Sequence, residues 1–266
     1  MSDLLQSHEG GVMTLTLNRP ERRNAIGEPQ VRELIAALQR GADDPTVRCV
    51  ALTGADGTFS VGGDISTFQP SEPRDGQPAP PQMPMAQMLR QMSEAARLLH
   101  EMPKPTLAVI NGACAGAGLA LAMACDLRFC LDSAKLTTAF AAIGLSGDCG
   151  GSYFLPKLVG RAKARELAFT AETITGSDAL DIGLVTKVAD AATFAEASRA
   201  YAEQLASLPT VAIGLIKKNL NASDDTTVSD VFDIEAANMA LAARTHDHRA
   251  AAAAFMKKEK VVFEGR

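Results

Sequence analysis

The stretch Asn111-Gly-Ala-Cys-Ala-Gly-Ala-Gly-Leu119 follows one apolar run, Thr106-Leu-Ala-Val-Ile110, and leads directly into another, Leu119-Ala-Leu-Ala-Met-Ala124. The first run is typical of a strand and the second of a buried helix, so the glycines lie at a strand-to-helix turn. A helix leaves its first backbone N–H groups without an internal partner. The sequence therefore predicts that this turn presents backbone donors to a bound group.

A second glycine-rich stretch, Phe59-Ser-Val-Gly-Gly-Asp-Ile65, lies about fifty residues earlier. It also follows a strand-like run, Cys49-Val-Ala-Leu-Thr53. Two N–H groups from separate loops that converge on one carbonyl oxygen form an oxyanion hole. We predict that the two stretches meet and bind such an oxygen.

Strand-like and helix-like segments interleave along the rest of the chain. Val12-Met-Thr-Leu-Thr-Leu17 alternates like a strand, and apolar residues at helical spacing follow Pro29, a residue that a first helical turn tolerates. The interleaving continues through Leu127–Leu131, Arg161–Phe169 and Gly183–Val188, and Ala-rich helical sequence dominates from Ala191. This order predicts an α/β core over residues 1–190 and a helical region over 191–266.

One segment interrupts this pattern. Six of the thirteen prolines lie between Gln69 and Gln87, a density that excludes an ordinary helix or a central strand there. Its place directly after the first glycine-rich stretch is consistent with a lid over a binding pocket, and equally with a simple insertion.

Composition restricts the class of protein. The 266 residues carry a net charge of −5, with a pI near 5.4 and no basic tract, which argues against nucleic acid as the main partner. No apolar run approaches the roughly 20 residues of a membrane span, and the N-terminus lacks the features of a leader. We expect a soluble, cytoplasmic protein with no membrane partner.

Cysteine and histidine positions argue against a metal site. The cysteines fall mostly in apolar runs without metal-ligand spacing, so we expect reduced, buried thiols. They are Cys49, Cys114, Cys125, Cys130 and Cys149. His246-Asp-His248 lies in a polar turn with no third ligand nearby, which favours a solvated helix junction over a metal site.

These residues resemble the crotonase superfamily, the enoyl-CoA hydratase/isomerase family. The resemblance also includes Leu17-Asn-Arg-Pro-Glu-Arg-Arg-Asn-Ala25, Cys125-Asp126, Gly150-Gly-Ser-Tyr-Phe-Leu-Pro156, Gly160–Val188 and Phe255–Arg266. It implies a spiral of ββα repeats with a C-terminal helical trimerisation region, assembled as a homotrimer or a dimer of trimers. Asp126, at a helix end, is expected to be structural.

The resemblance also implies a site for an acyl-CoA thioester, with coenzyme A as part of the substrate and no separate cofactor. Its oxyanion donors are the backbone N–H groups of Gly63 and Ala117. The implied CoA-binding residues are Arg22, Asn24, Ala25, Val61, Asp64, Ile65 and Lys258. Two of them have plainer explanations: Asp64 as a cap of the following helix, and Lys258 as part of an exposed amphipathic tail.

The chain departs from the hydratases of this family at two positions. Ala120 and Phe140 stand where a hydratase carries its two catalytic glutamates. Neither side chain accepts a proton, and general acid–base catalysis typically contributes about 10²–10⁴-fold. Conventional hydration is therefore disfavoured, and Phe140 is expected to line the acyl pocket.

Asp148, in Ile143-Gly-Leu-Ser-Gly-Asp-Cys-Gly-Gly151, is the best acid–base candidate. The segment is similar to that of the phenylacetate-pathway ring-oxepin isomerases and related enoyl-CoA isomerases, which use a single aspartate at this place. One carboxylate suffices to move a proton between two carbons of an acyl chain. The alternative is that Asp148 only caps the following helix.

Three functions follow from these assignments. The leading hypothesis is an enoyl-CoA isomerase that works through a thioenolate, with Asp148 as the proton shuttle. An enoyl-CoA hydratase is the second, and it requires Asp148 plus an unidentified group to activate water. A catalytically silent acyl-CoA-binding member of the family is the third.

Overall fold

The computed structural model describes residues 2–64 and 85–266. They contain a six-stranded sheet in which β1 pairs antiparallel with β2 and the other neighbours are parallel, in the order β1-β2-β3-β5-β7-β10. A smaller sheet has the order β4-β6-β8-β9. The strands are β1 Leu4–Glu9, β2 Val12–Leu17, β3 Cys49–Gly54, β4 Thr58–Ser60, β5 Thr106–Ile110, β6 Ala113–Ala115, β7 Leu127–Leu131, β8 Lys135–Thr137, β9 Ile174–Thr175 and β10 Lys187–Ala189.

Helices lie between and after these strands. The helices are α1 Glu28–Asp43, α2 Met85–Glu101, α3 Gly116–Ala124, α4 Gly151–Thr170, α5 Gly176–Asp181, α6 Phe194–Ala206, α7 Thr210–Ser223, α8 Val228–Ala242 and α9 His246–Lys257. Short 3-10 turns occur at Pro20–Arg22 and Ala141–Ile143.

The ββα repeat is visible in the connections. In each repeat the first strand joins the large sheet, the second joins the small sheet, and a helix follows: β3-β4-α2, β5-β6-α3 and β7-β8-α4. The large sheet is parallel across these repeats. The predicted α/β fold of ββα repeats is confirmed.

Most predicted elements are confirmed, with two corrections. The strand expected within Gly183–Val188 begins only at Lys187, because Leu184 and Val185 are buried in the preceding loop. The proline-rich segment was predicted to extend to Gln87, but α2 begins at Met85, directly after the last proline. The predicted lid and Ile65 otherwise lie outside the described residues.

The helical region after residue 190 is not detached from the sheet. Ala202, Leu205 and Ala206 of α6 pack in one buried cluster with Leu107 and Phe129 of the large sheet. On the other side of the sheet, a larger cluster unites the strands with α1, α2 and α3. The sheet therefore lies between two apolar layers, and α6 belongs to one of them.

The cysteines and the His246–His248 turn have structural surroundings. All five thiols are free and buried, as predicted. His246 begins α9 behind the N-cap Thr245, and the buried Asp247 accepts hydrogen bonds from the backbone of Glu264 and Gly265 at 2.8 Å. The turn is a helix junction as expected, but Asp247 is buried and binds the backbone of residues 264 and 265.

A metal-binding cluster and a helix long and apolar enough to span a membrane are both absent from the described residues. Outside the gap at 65–84, no three His, Cys, Asp or Glu side chains gather in a way that could hold a metal ion. In the same described ranges, no helix combines the length and the apolarity that crossing a bilayer requires.

A partly buried ion pair links α7 to the core. Lys217 Nζ lies 2.9 Å from Asp126 Oδ2 and also donates to the carbonyl of Leu99 at 2.8 Å. The same Asp126 oxygen accepts hydrogen bonds from the N–H and the hydroxyl of Thr106. The structural role predicted for Asp126 is thus confirmed, because it links the start of β5 to α7.

Replacing Lys217 by Met should lower the free energy of unfolding by about 1–3 kcal/mol, since it removes the donor that the partly buried Asp126 carboxylate and the Leu99 carbonyl share. Urea unfolding followed by circular dichroism measures the change. The control is Lys218→Met, which removes an equal charge from the exposed neighbouring position. Equal stability of the two variants would contradict the role given to the pair.

Candidate active site

The first glycine-rich stretch is held against the Arg22–Ile26 loop by a short backbone ladder. Val61 N donates to Arg23 O at 3.2 Å, Ile26 N to Gly62 O at 2.8 Å and Asp64 N to Ile26 O at 2.9 Å. Gly63 forms a parallel bridge with Ile26, but its own N–H donates to no residue that the structure describes. The ladder therefore leaves one donor of this loop for a ligand.

Asn24 is the support of that loop. It is fully buried with a left-handed backbone (φ 55°), and its amide donates to the carbonyls of Ala55 and Thr58 at 2.9 and 2.7 Å. Its side-chain oxygen accepts from the N–H of Arg19 at 2.9 Å. The backbone of Asn24 is engaged as well, because its N–H donates to Arg19 O at 2.9 Å and its carbonyl accepts from the Ser60 hydroxyl at 2.8 Å.

Asp64 is held by a residue that the sequence analysis did not single out. Its Oδ2 lies 3.1 Å from Arg19 Nη2, and Arg19 Nη1 donates to the carbonyl of Ala25 at 3.0 Å. Asp64 is the last described residue before the gap, so the predicted helix cap lies outside the described residues. Arg19 belongs to the Leu17–Ala25 motif, and a basic residue in that motif was the one signal in the sequence for a partner of Asp64.

The two glycine-rich stretches meet, as predicted. A β-carbon at Gly62, whose φ is +98°, would lie 3.1 Å from Ala115 O and 3.4 Å from Ala117 N. A β-carbon at Gly118 would lie 2.7 Å from the β-carbon of Ser60, closer than atoms normally approach. The backbones therefore come together at positions where only glycine fits.

Ala117 is the second residue of α3, and it is fully buried. The N-cap residue of this helix, Ala115, provides no side-chain hydrogen bond. Backbone N–H groups in a first helical turn have no intrahelical acceptor and attract negative charge. The start of α3 thus supplies a second donor beside the Gly62–Gly63 loop.

A cavity of about 350 Å³ opens beside the start of α3. Gly116, Ala120 and Phe140 line one end, as expected for Phe140. Apolar side chains form much of the remaining wall, and they are Leu119, Met123, Leu155, Ala164 and Ala168. Ala120 and Phe140, the positions at which the resemblance implies glutamates in a hydratase, thus both line the cavity, and neither side chain can transfer a proton.

Asp148 lies between two residues that line this cavity, Gly147 and Gly151, and is itself half-buried. Its Oδ1 is buried and finds no hydrogen-bond partner among the described residues. Burial raises the pKa of this carboxyl above its ordinary value, and the Cys149 thiol, which hydrogen-bonds to it, offsets part of that rise.

The alternative in which Asp148 only caps α4 is wrong. The N-cap residue of α4 is Gly150 (φ +80°), and no side chain caps this helix. Asp148 contributes only its backbone carbonyl, which accepts from Gly151 N at 2.9 Å. Its carboxylate therefore does not cap the helix, and Asp148 adjoins the cavity lining through the neighbouring Gly147.

Arg22 and Lys258 are exposed. Arg22 ends the 3-10 turn beside the loop, and Lys258 follows α9 in a left-handed conformation (φ 58°). Neither side chain forms a hydrogen bond or an ion pair with another described residue. Arg22 thus adjoins the first glycine-rich stretch through its loop, whereas Lys258 forms no hydrogen bond or ion pair with that stretch among the described residues.

Comparison with known proteins identifies the family. Residues 7–266 match the family model described as enoyl-CoA hydratase/isomerase. The chain is 35% identical to the 1,2-epoxyphenylacetyl-CoA isomerase of Escherichia coli, with the full length of both chains covered.

Solved structures give the same result. The crystal structure of an enoyl-CoA hydratase from Polaromonas sp. JS666 superposes with a TM-score of 0.89 at 30% identity, over 98% of this chain and 99% of the other. A Thermobifida fusca protein crystallised in complex with CoA superposes with a TM-score of 0.79 at 31% identity, over 90% and 92%. The paired glycine loops, the ββα repeats and these similarities show that the chain belongs to the enoyl-CoA hydratase/isomerase family of acyl-CoA-transforming enzymes.

Proposed function

We propose that this protein is an enoyl-CoA isomerase that moves a carbon–carbon double bond along an acyl thioester. The observation that carries the proposal is the buried, unpartnered carboxylate oxygen of Asp148 beside the cavity, together with Ala120 and Phe140 where two further acid–base groups would be needed for hydration. One carboxylate and one oxyanion hole are sufficient for isomerisation.

The reaction has two proton transfers. Asp148, ionised, removes a proton from C2 of a 3-enoyl-CoA, and the electrons of that bond spread to the thioester oxygen as a thiodienolate. The N–H groups of Gly63 and Ala117 stabilise this oxygen. The protonated Asp148 then returns the proton to C4, which gives the 2-enoyl-CoA and restores the carboxylate.

The surroundings of Asp148 suit both transfers. The raised pKa makes the ionised carboxylate of Asp148 a stronger base for the first transfer. It also helps the carboxyl to keep the proton until the second transfer. The apolar wall of the cavity limits access of water to the intermediate. The name of the Escherichia coli relative, an isomerase, is consistent with this reaction.

The same proposal places CoA along the backbone of Asn24, Ala25, Val61 and Asp64, with Ile65 beside them. The CoA complex of the Thermobifida fusca relative supports such a ligand. Arg22 and Lys258 would contact phosphate, Lys258 from a neighbouring subunit.

We further propose the trimer or dimer of trimers. It is supported by large apolar side chains that one chain leaves exposed on its C-terminal helices. Leu220, Phe232, Met239 and Phe255 are between 63% and 83% exposed.

Asp148→Asn should lower kcat for conversion of 3-enoyl-CoA to 2-enoyl-CoA by about 10²–10⁴-fold, because the carboxamide keeps the size of the side chain but cannot accept the proton. Double-bond position and water addition are followed separately by chromatography of the products. The activity of the unaltered protein should fall as the pH falls through the raised pKa of Asp148, since protonation removes the base.

The matched control for that assay is Asp181→Asn, which makes the same chemical change at an exposed position at the end of α5. It should retain full activity. If the unaltered protein and the Asp148→Asn variant hydrate 2-enoyl-CoA equally well, both the reaction and its acid–base group are assigned incorrectly.

The same substitution should change stability in the opposite sense from activity. Because the pKa of Asp148 is raised in the folded protein, its ionised form opposes folding at neutral pH, and this cost disappears as the pH falls below the ordinary pKa. Asp148→Asn should therefore have a higher Tm at pH 7, with a difference that shrinks toward acidic pH. A lower Tm at pH 7 would instead indicate a structural role of the carboxylate.

A further inference from the structure

The lining of the cavity beside the glycine-rich loops includes two cationic side chains. Arg161 and Arg165 of α4 line the same cavity as Ala120 and Phe140. They are four residues apart, a spacing that places side chains on one face of a helix. We propose that this pair binds an anionic group at the far end of the acyl chain, a terminal carboxylate, and so selects substrates; the orientation of the chain rests on the proposed function.

The charges of these two residues are uncompensated within the described chain. Neither guanidinium forms an ion pair or a hydrogen bond with any residue in the parts that the structure describes. Lys163, which lies between them in sequence, differs because its Nζ is 2.6 Å from Glu166. A guanidinium presents paired donors that match a carboxylate, so two free ones at a cavity favour that ligand.

The cavity between the two ends suits an aliphatic chain. A β-carbon at Gly151 would lie 3.7 Å from that of Ala120, which places the start of α4 beside the oxyanion end. Arg161 follows Gly160, whose non-helical backbone (φ 75°, ψ 162°) kinks α4, so both arginines lie on the second arm of this helix. Leu155 on the first arm and Ala164 on the second supply apolar wall of the cavity. A chain with an apolar body and an anionic end matches this distribution.

A phosphate of CoA has the same charge and could come to the same arginines. The loops proposed to hold CoA, Arg22–Ile26 and Val61–Asp64, do not contribute to the lining of this cavity. The Val61–Asp64 loop adjoins the cavity at Gly116, where a β-carbon would lie 3.7 Å from Gly62 Cα. This arrangement favours the acyl chain as the source of the anion.

The test compares two saturated thioesters of equal length, octanoyl-CoA and octanedioyl-CoA, by isothermal titration calorimetry at fixed ionic strength. Neither ligand has a double bond, so binding is measured without turnover. The unaltered protein should bind octanedioyl-CoA at least tenfold more tightly, in line with the strength of charge-assisted hydrogen bonds. The double variant Arg161→Gln/Arg165→Gln should lose this preference while its affinity for octanoyl-CoA stays within about twofold, since the apolar contacts remain.

Lys163→Gln is the matched control, because it removes one positive charge from the same helix outside the cavity lining. It should keep the preference for octanedioyl-CoA. Equal affinity of the unaltered protein for both thioesters would overturn the proposal, as would loss of the preference in Lys163→Gln.

Repeating the titration with the 3′-dephospho-CoA thioesters separates the two sources of negative charge. The arginines bind CoA, and the proposal is overturned, if the double variant loses affinity equally for both thioesters and this loss of affinity is absent with the 3′-dephospho-CoA thioesters. If the preference holds but no 3-enoyl-CoA is isomerised, the isomerase function fails while the anion site stands.

Discussion

The active site depends on the close approach of two stretches of backbone. Gly62 faces the carbonyl of Ala115 and the N–H of Ala117, and Gly118 packs against Ser60 at a distance that admits no side chain. Any β-carbon at these positions would push the loops apart. Because the two proposed oxyanion donors, Gly63 and Ala117, belong to these stretches, steric exclusion at the two glycines fixes where those N–H groups lie.

The sheet topology brings these stretches together. In the small sheet, β4 lies parallel to β6, with Thr58 paired with Ala113 and Ser60 with Cys114. The loops that follow two parallel strands emerge at the same edge, so the residues after Ser60 meet the start of α3. The Ser60 hydroxyl then donates to Asn24 O at 2.8 Å and accepts from Gly62 N at 3.1 Å, which fixes the loop in place.

The sequence was informative where local chemistry determines structure. Strand-like runs followed by glycines correctly predicted that the two glycine-rich stretches meet, while their oxyanion role stays a prediction. The lack of acid–base side chains at Ala120 and Phe140 made Asp148 the candidate acid–base group. Other features depend on contacts that are remote in sequence. The ion pair between Arg19 and Asp64 joins residues 45 apart, and that between Lys217 and Asp126 joins residues 91 apart. No periodicity or motif specifies such pairs.

The availability of Asp148 illustrates the same limit. In sequence, an aspartate just before a helix has the pattern of a cap. The three-dimensional structure shows that Gly150 occupies the N-cap position and that Asp148 Oδ1 is buried without a partner among the described residues. The arginines of α4 likewise read as an ordinary charged helix face until the cavity between α4 and α3 is seen.

The proposed chemistry requires that two backbone N–H groups polarise the thioester carbonyl, and vibrational spectroscopy measures this polarisation directly. The carbonyl stretch of ¹³C-labelled octanoyl-CoA, recorded by isotope-edited infrared difference spectroscopy, should lie at lower wavenumber in the bound thioester than in water, because preorganised donors weaken the C=O bond. An unshifted band for the fully bound thioester would contradict the oxyanion hole and with it the proposed chemistry.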